Sequence, residues 1–181
     1  MEKIQGNSYY NKEIVKFGFL LMREWFIFCG LGSLLALSLN MPIEYVIILL
    51  TYFFVRSYTG GAHMGSYLGC LVCSCTLIYI ILWLAKNVSI SIRFSVMVTV
   101  VVSAILAWMG PIECETRKIE HIQRKMLDKR LKKNLFFLMV IVCCLYIIKK
   151  YLYIKVIGLS LVSILISCII QKYILLKQKN V

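Results

Sequence analysis

Apolar residues in this chain do not alternate with polar ones; they run together. Six such runs can be read, over 25–39, 42–55, 66–85, 93–109, 135–148 and 152–176, with short polar or charged stretches between them. A transmembrane helix needs about 20 mainly apolar residues. The third and sixth runs are long enough to cross a bilayer. The first two, at 15 and 14 residues, are short. They call for local thinning, tilt of their neighbours, self-association into a dimer, or a hairpin that stops part-way. A barrel does not fit, because its strands alternate between lipid and lumen and these runs are continuously apolar.

Ahead of the first run, residues 8–22 are mainly apolar but interrupted by Lys12, Glu13 and Lys16. That pattern suits a helix lying in the membrane interface over about 1–23. A cleaved signal peptide does not fit, since the apolar run comes late and no clean small-x-small site follows it. There are no internal repeats and no low-complexity linkers. The expected fold is all-α: a polytopic integral membrane protein with about six transmembrane helices plus an N-terminal interfacial amphipathic helix, one membrane-embedded domain over 1–181.

Composition agrees. Of 181 residues, 61% are hydrophobic and 16% charged, against roughly 45–50% and 25% in a soluble domain. Disorder is excluded by the same aliphatic and aromatic content. Nucleotide-binding sheets and zinc ribbons have no room in the connecting loops, so neither a cofactor domain nor a nucleic-acid partner is expected. The net charge of +13 is unevenly spread. With the N-terminus inside and six crossings, 16 Lys and Arg residues lie on the inner side. Only Lys86, Arg93, Lys149, Lys150 and Lys155 lie outside. Basic residues stay cytoplasmic, so both termini are expected there.

The eight cysteines are 29, 70, 73, 75, 114, 143, 144 and 168. None falls in an expected outer loop, so no extracellular disulfide framework is implied. Inside spans, cysteine acts as a small hydrophobe. Cys70 and Cys73 have the formal spacing of a redox or metal pair, a weak signal in so cysteine-rich a helix.

One stretch breaks the apolar pattern, from Arg56 through Gly60, Gly61, His63, Gly65 and Ser66 to Cys70. Arginine at a hydrocarbon edge needs a partner or a route to water. Three glycines within six residues permit tight reversals. Histidine with cysteine is the smallest set that makes a thiol nucleophile: imidazole removes the thiol proton and later protonates the leaving amine. On one unbroken helix the two side chains would stand about 10 Å apart, too far for a general base. A helix starting at Ser66, a fair N-cap, leaves His63 in a loop able to fold back over Cys70. The helix start also offers a partial positive charge that favours a thiolate. Packing for Cys70 and an interfacial loop role for His63 are the alternative.

This stretch resembles the signature of the accessory gene regulator protein B family, membrane-embedded cysteine endopeptidases of Gram-positive quorum-sensing systems. The residues that carry the resemblance are Arg56, Gly60, Gly61, His63, Cys70 and, one turn further, Ser74. Span number, size and a basic central loop agree along essentially the whole chain. The resemblance implies that His63 and Cys70 are the catalytic pair, within a catalytic loop and helix start over 56–75. It also implies that the enzyme removes the C-terminal tail of a small precursor peptide and assists ring closure to a thiolactone or lactone. Gly110-Pro111 followed by Arg117 and Lys118 loosely resembles a proline-led basic loop of the family, with Arg117 and Lys118 as candidate substrate-binding residues.

The basic segment over 111–134 reads physically as an amphipathic stretch able to hold anionic lipid or simply to fix topology. His121 within it reads as a solvated loop histidine. Asp128 is the only aspartate and no His-Glu-x-x-His occurs, so neither an aspartyl dyad nor a zinc peptidase fits. The chemistry needs no metal and no organic cofactor. The expected activity is therefore a cysteine endopeptidase acting at the cytoplasmic face, with the precursor peptide and membrane lipids as partners. The rivals are a small transporter or peptide exporter, for which symmetry or mid-membrane polar residues on several spans would be needed, and a thiol-redox protein using Cys70 and Cys73.

Overall fold

The computed structural model describes residues 19, 22–59, 67–112 and 121–179. Among them the protein is wholly helical. Helix α1 covers 22–38, followed by α2 (Pro42–Thr59), α3 (Tyr67–Asn87), α4 (Ile92–Met109), α5 (His121–Ile147) and α6 (Tyr151–Lys179). Among the described residues, each apolar run of the sequence lies on one of these helices to within a residue at its ends. By length and composition, α3, α4 and α6 can cross a membrane. The N-terminal interfacial helix lies outside the described residues apart from Phe19, Met22 and Arg23, of which Phe19 is helical and the other two open α1.

Two helices differ from the apolar runs that foreshadow them. Helix α2 continues past Val55 through Arg56 to Thr59. Its polar last turn is held by hydroxyls that bond back to their own helix, Ser57 to the Phe53 carbonyl at 2.7 Å and Thr59 to that of Val55 at 3.3 Å. Helix α5 starts at His121 instead of Leu135, so most of the basic segment and the apolar run behind it are one 27-residue helix. No Gly or Pro interrupts it, and its Lys, Arg, Leu and Met residues are good helix formers. His121 is thus the first residue of a helix and not a loop residue.

Helix α6 runs through the middle, packed against α2, α3, α4 and α5. It joins two cores. In one, Leu131, Leu135, Leu138 and Val142 of α5 meet Ile154, Ile157, Leu161 and Ile164 of α6, with Val55, Val102 and Leu106. In the other, Ala36, Tyr45 and Ile48 meet Ile78, Ile81 and Leu82, with Val156 of α6. The outward faces stay apolar as well: Trp108 is 86% exposed, and Phe19, Phe26, Phe136 and Tyr173 are also exposed. An apolar exterior around three helices of spanning length is the arrangement of a membrane protein, whose surroundings are as apolar as its core.

Because lipid gives no hydrophobic drive for helices to associate, close backbone approach matters. Gly158 of α6 supplies one such approach. A Cβ added there would lie 2.8 Å from Thr99 Oγ1 of α4. At the end of the bundle formed by the C-terminus of α3, lysines close the structure. The Lys86 ammonium donates to the Leu39 carbonyl at 2.8 Å, and that of Lys155 donates to the carbonyls of Ala85 and Val88.

Gly158→Ala should therefore destabilise the bundle by about 1–3 kcal/mol, the usual cost of overpacking. Gly30→Ala, whose added methyl meets nothing within 4 Å, should be neutral or slightly stabilising. Thermal unfolding in detergent compares them; equal midpoints would show that α4 and α6 do not depend on this contact.

Candidate functional site

The C-termini of α2 and α4 and the N-termini of α3 and α5 gather at the other end of the bundle. The chain itself enforces this. Gly110 adopts φ +65, a conformation that a side chain resists, and its N–H caps α4 by donating to the Leu106 carbonyl. Pro111 follows, buried, and cannot continue the helix. The next N–H, of Ile112, donates to the Thr59 carbonyl at 2.9 Å. The close of α4 is thereby tied to the last residue of α2. From α5, the Asn134 amide donates to the Phe54 carbonyl at 2.8 Å, a second tie to α2.

Two of the residues singled out by the sequence stand at this end. Arg56 occupies the last turn of α2, half-buried, where the partial negative charge of a helix C-terminus favours a cation. Its guanidinium carbon lies 6.0 Å from the centre of the Tyr52 ring. Cys70 is the fourth residue of α3, which begins at Tyr67. It is about 5 Å of helix rise from that start, partly exposed, with a free thiol. Ser74, one turn on, shares its face of α3 and is half-buried. Gly60, Gly61, His63 and Ser66 lie outside the described residues, as do Arg117 and Lys118. The described cysteines are free thiols, and no cluster of three metal-ligating side chains forms among the described residues.

The structure adds residues that the sequence did not point to. Tyr52 and Ser163 share a hydrogen bond of 2.5 Å between α2 and α6. Cys168 of α6, only 1% exposed, lies close enough to Thr59 and Arg56 for both to act electrostatically on its thiol. Gln171, one turn further along α6, is buried too. On α6, Ser160, Ser163, Ser167 and Gln171 recur at spacings of three and four, a single face. That periodicity was present in the sequence, hidden in a run apolar enough to read as uniform.

Buried hydroxyls also occur midway along three helices, where the sequence suggested no polar lining. They are Thr51 on α2, Thr99 and Ser103 on α4, and Ser160 and Ser163 on α6. Thr51, Thr99 and Ser160 donate to the carbonyl four residues earlier on their own helix and Ser163 to the one three earlier. These bonds satisfy four of the five hydroxyls within their helices, whereas Ser103 Oγ has no hydrogen-bond partner among the described residues; all five leave small side chains for close packing.

A family model described as Accessory gene regulator B matches residues 1–172. No curated protein and no solved structure matches.

Gly110→Ala should cost about 1–3 kcal/mol, because φ +65 with ψ −167 is a conformation open essentially to glycine alone, while the added atom would sit at an ordinary 3.4 Å from Asp128 Oδ1. Chemical denaturation in detergent measures it. An unchanged midpoint would mean that the close of α4 tolerates another geometry.

Proposed function

The chain belongs to the accessory gene regulator B family, and we propose on that basis that it is a membrane cysteine endopeptidase that matures a quorum-sensing peptide. The family acts in the processing of accessory gene regulator signal peptides. The observation that carries the finer reading is a free, partly exposed thiol, Cys70, in the first turn of α3, seven residues after the histidine of a glycine-rich stretch.

In this reading His63 takes the proton of the Cys70 thiol, and the thiolate attacks the scissile carbonyl of the precursor. A C–S bond forms, the C–N bond breaks, and the proton on His63 passes to the departing amine of the tail. The product is an acyl-enzyme thioester, which keeps the acyl group activated. A Cys or Ser of the precursor then attacks it, loses its proton to His63, and releases Cys70 as the ring closes to a thiolactone or lactone. Arg56 supports the loop or the developing negative charge, with Gly60 and Gly61 allowing the reversal and Ser74 lining the helix behind Cys70. No metal or organic cofactor takes part.

The reading extends to topology: six crossings, an interfacial helix over 1–23, both termini and the catalytic residues at the cytoplasmic face, and dimerisation as a way to shelter the short α1. Basic residues Arg124, Lys125, Lys129, Arg130, Lys132 and Lys133 are exposed along the start of α5, which supports a role for this region in meeting anionic lipid or an acidic peptide tail.

Cys70→Ala should abolish cleavage of the precursor peptide co-expressed with the chain, and His63→Ala should lower it by at least ~100-fold, with membrane insertion intact. Mass spectrometry of the products reads both. Wild-type cleavage by either variant would remove that residue from the reaction. Cys73→Ser should stay active, whereas its loss of activity would favour the thiol-redox reading.

Arg117→Glu combined with Lys118→Glu should raise KM for the precursor more than it lowers kcat, since these residues lie outside the reacting pair. Raising salt should weaken binding in the same direction. Unchanged peptide affinity in a correctly inserted variant would assign the run to topology or lipid alone.

A further inference from the structure

Between α2 and α6 a short polar seam crosses an otherwise apolar interface, and Arg56 sits within it. On α2, Tyr52, Val55, Arg56 and Thr59 share one face at spacings of three and four. Val55 and Thr59 of that face are buried, at 0% and 1% exposure. Tyr52 is tied to Ser163 of α6 at 2.5 Å, while Thr59 donates to the Val55 carbonyl of its own helix at 3.3 Å. Arg56 thus lies one turn beyond a bond between α2 and α6 and one turn before the buried Thr59.

Either hydroxyl can donate in the Tyr52–Ser163 bond; with the Ser163 proton on the Ser160 carbonyl at 2.8 Å, Tyr52 is the donor. The bond holds the phenol by its far end. The ring so held lies against Arg56, with the guanidinium carbon 6.0 Å from its centre, within the range of a cation–π contact. Cys73 of α3 is also within electrostatic reach of Tyr52.

We infer that Tyr52 and Ser163 are positioning residues for Arg56, holding its guanidinium at the end of the bundle where α3 begins. The inference deepens the peptidase reading and rests on it for the role of Arg56 in the reaction. The placement of Arg56 itself is independent of that reading. An arginine with a long flexible stem loses less on ordering when a fixed ring carries part of its surface. Tyr52 touches neither thiol nor substrate in this scheme. It acts through Arg56.

The test uses the full-length protein in detergent with the precursor peptide encoded beside its gene. Tyr52→Phe keeps the ring and removes the donor; Ser163→Ala removes the acceptor; Ser163→Thr restores a hydroxyl. The first two should lower kcat roughly fivefold, the scale of one net hydrogen bond, with KM unchanged, and Ser163→Thr should recover most of it. In an Arg56→Gln background, Tyr52→Phe should cause no further loss. An equal loss in both backgrounds, or no loss in either, would overturn the inference.

A second readout needs no substrate. Trypsin should cut after Arg56 several-fold faster in Tyr52→Phe than in the parent chain, because the residue is released from its seat. An unchanged rate would overturn the positioning whatever Cys70 does. If instead Cys70→Ala cleaved the precursor like the parent, the peptidase reading would fail while the trypsin comparison still decided where Arg56 is held.

Discussion

A polar group surrounded by hydrocarbon must find its partner within the protein, and this requirement shapes the meeting of α2 and α6. The tyrosine at position 52 cannot leave its hydroxyl unbonded in an apolar helix interface without a cost of a few kcal/mol, so it reaches across to Ser163. This bond helps to set the register of the two helices, with Thr59 and Cys168 both buried one helical turn beyond Arg56. Once α2 and α6 are in register, the last turn of α2 lies where Ile112 can reach the Thr59 carbonyl and Asn134 can reach that of Phe54. The end of α4 and the middle of α5 are then tied to the C-terminal part of α2.

The consequence for function is spatial. The close of α4 is tied to the last residue of α2, and α3 begins with Cys70 in its first turn. The opposite end is closed by lysines that cap backbone carbonyls. The bundle therefore has one structural end and one end where helix termini, an arginine and a free thiol stand together. A peptide bond to be cleaved near the membrane surface needs such a place, with water nearby and apolar side chains behind.

Much of the fold could be read from the sequence, because an apolar run of spanning length has few other uses. Turns were legible for the same reason: Gly110-Pro111 stops α4, as expected of that pair. Helix limits were less so where polar residues continue a helix, as Arg56 to Thr59 do in α2 and the basic residues do in α5. Such limits depend on propensity and local hydroxyl bonds, which hydropathy does not report. Faces were the least legible. A helix apolar all round gives no sign of which side is buried, so Cys168 read as packing and Tyr52 drew no attention. Cys70 stood out only because it follows a histidine and glycines that lipid alone would not call for.

The most direct test of the account is whether Cys70 carries the acyl group. The full-length enzyme and the precursor peptide, mixed and quenched within the first turnover, can be digested and weighed. The account predicts that the peptide containing Cys70 gains the mass of the precursor without its C-terminal tail, and that hydroxylamine removes the added mass, as it does from a thioester. Release of the tail with that adduct on another cysteine, or with no hydroxylamine-sensitive adduct anywhere on the chain, would contradict it.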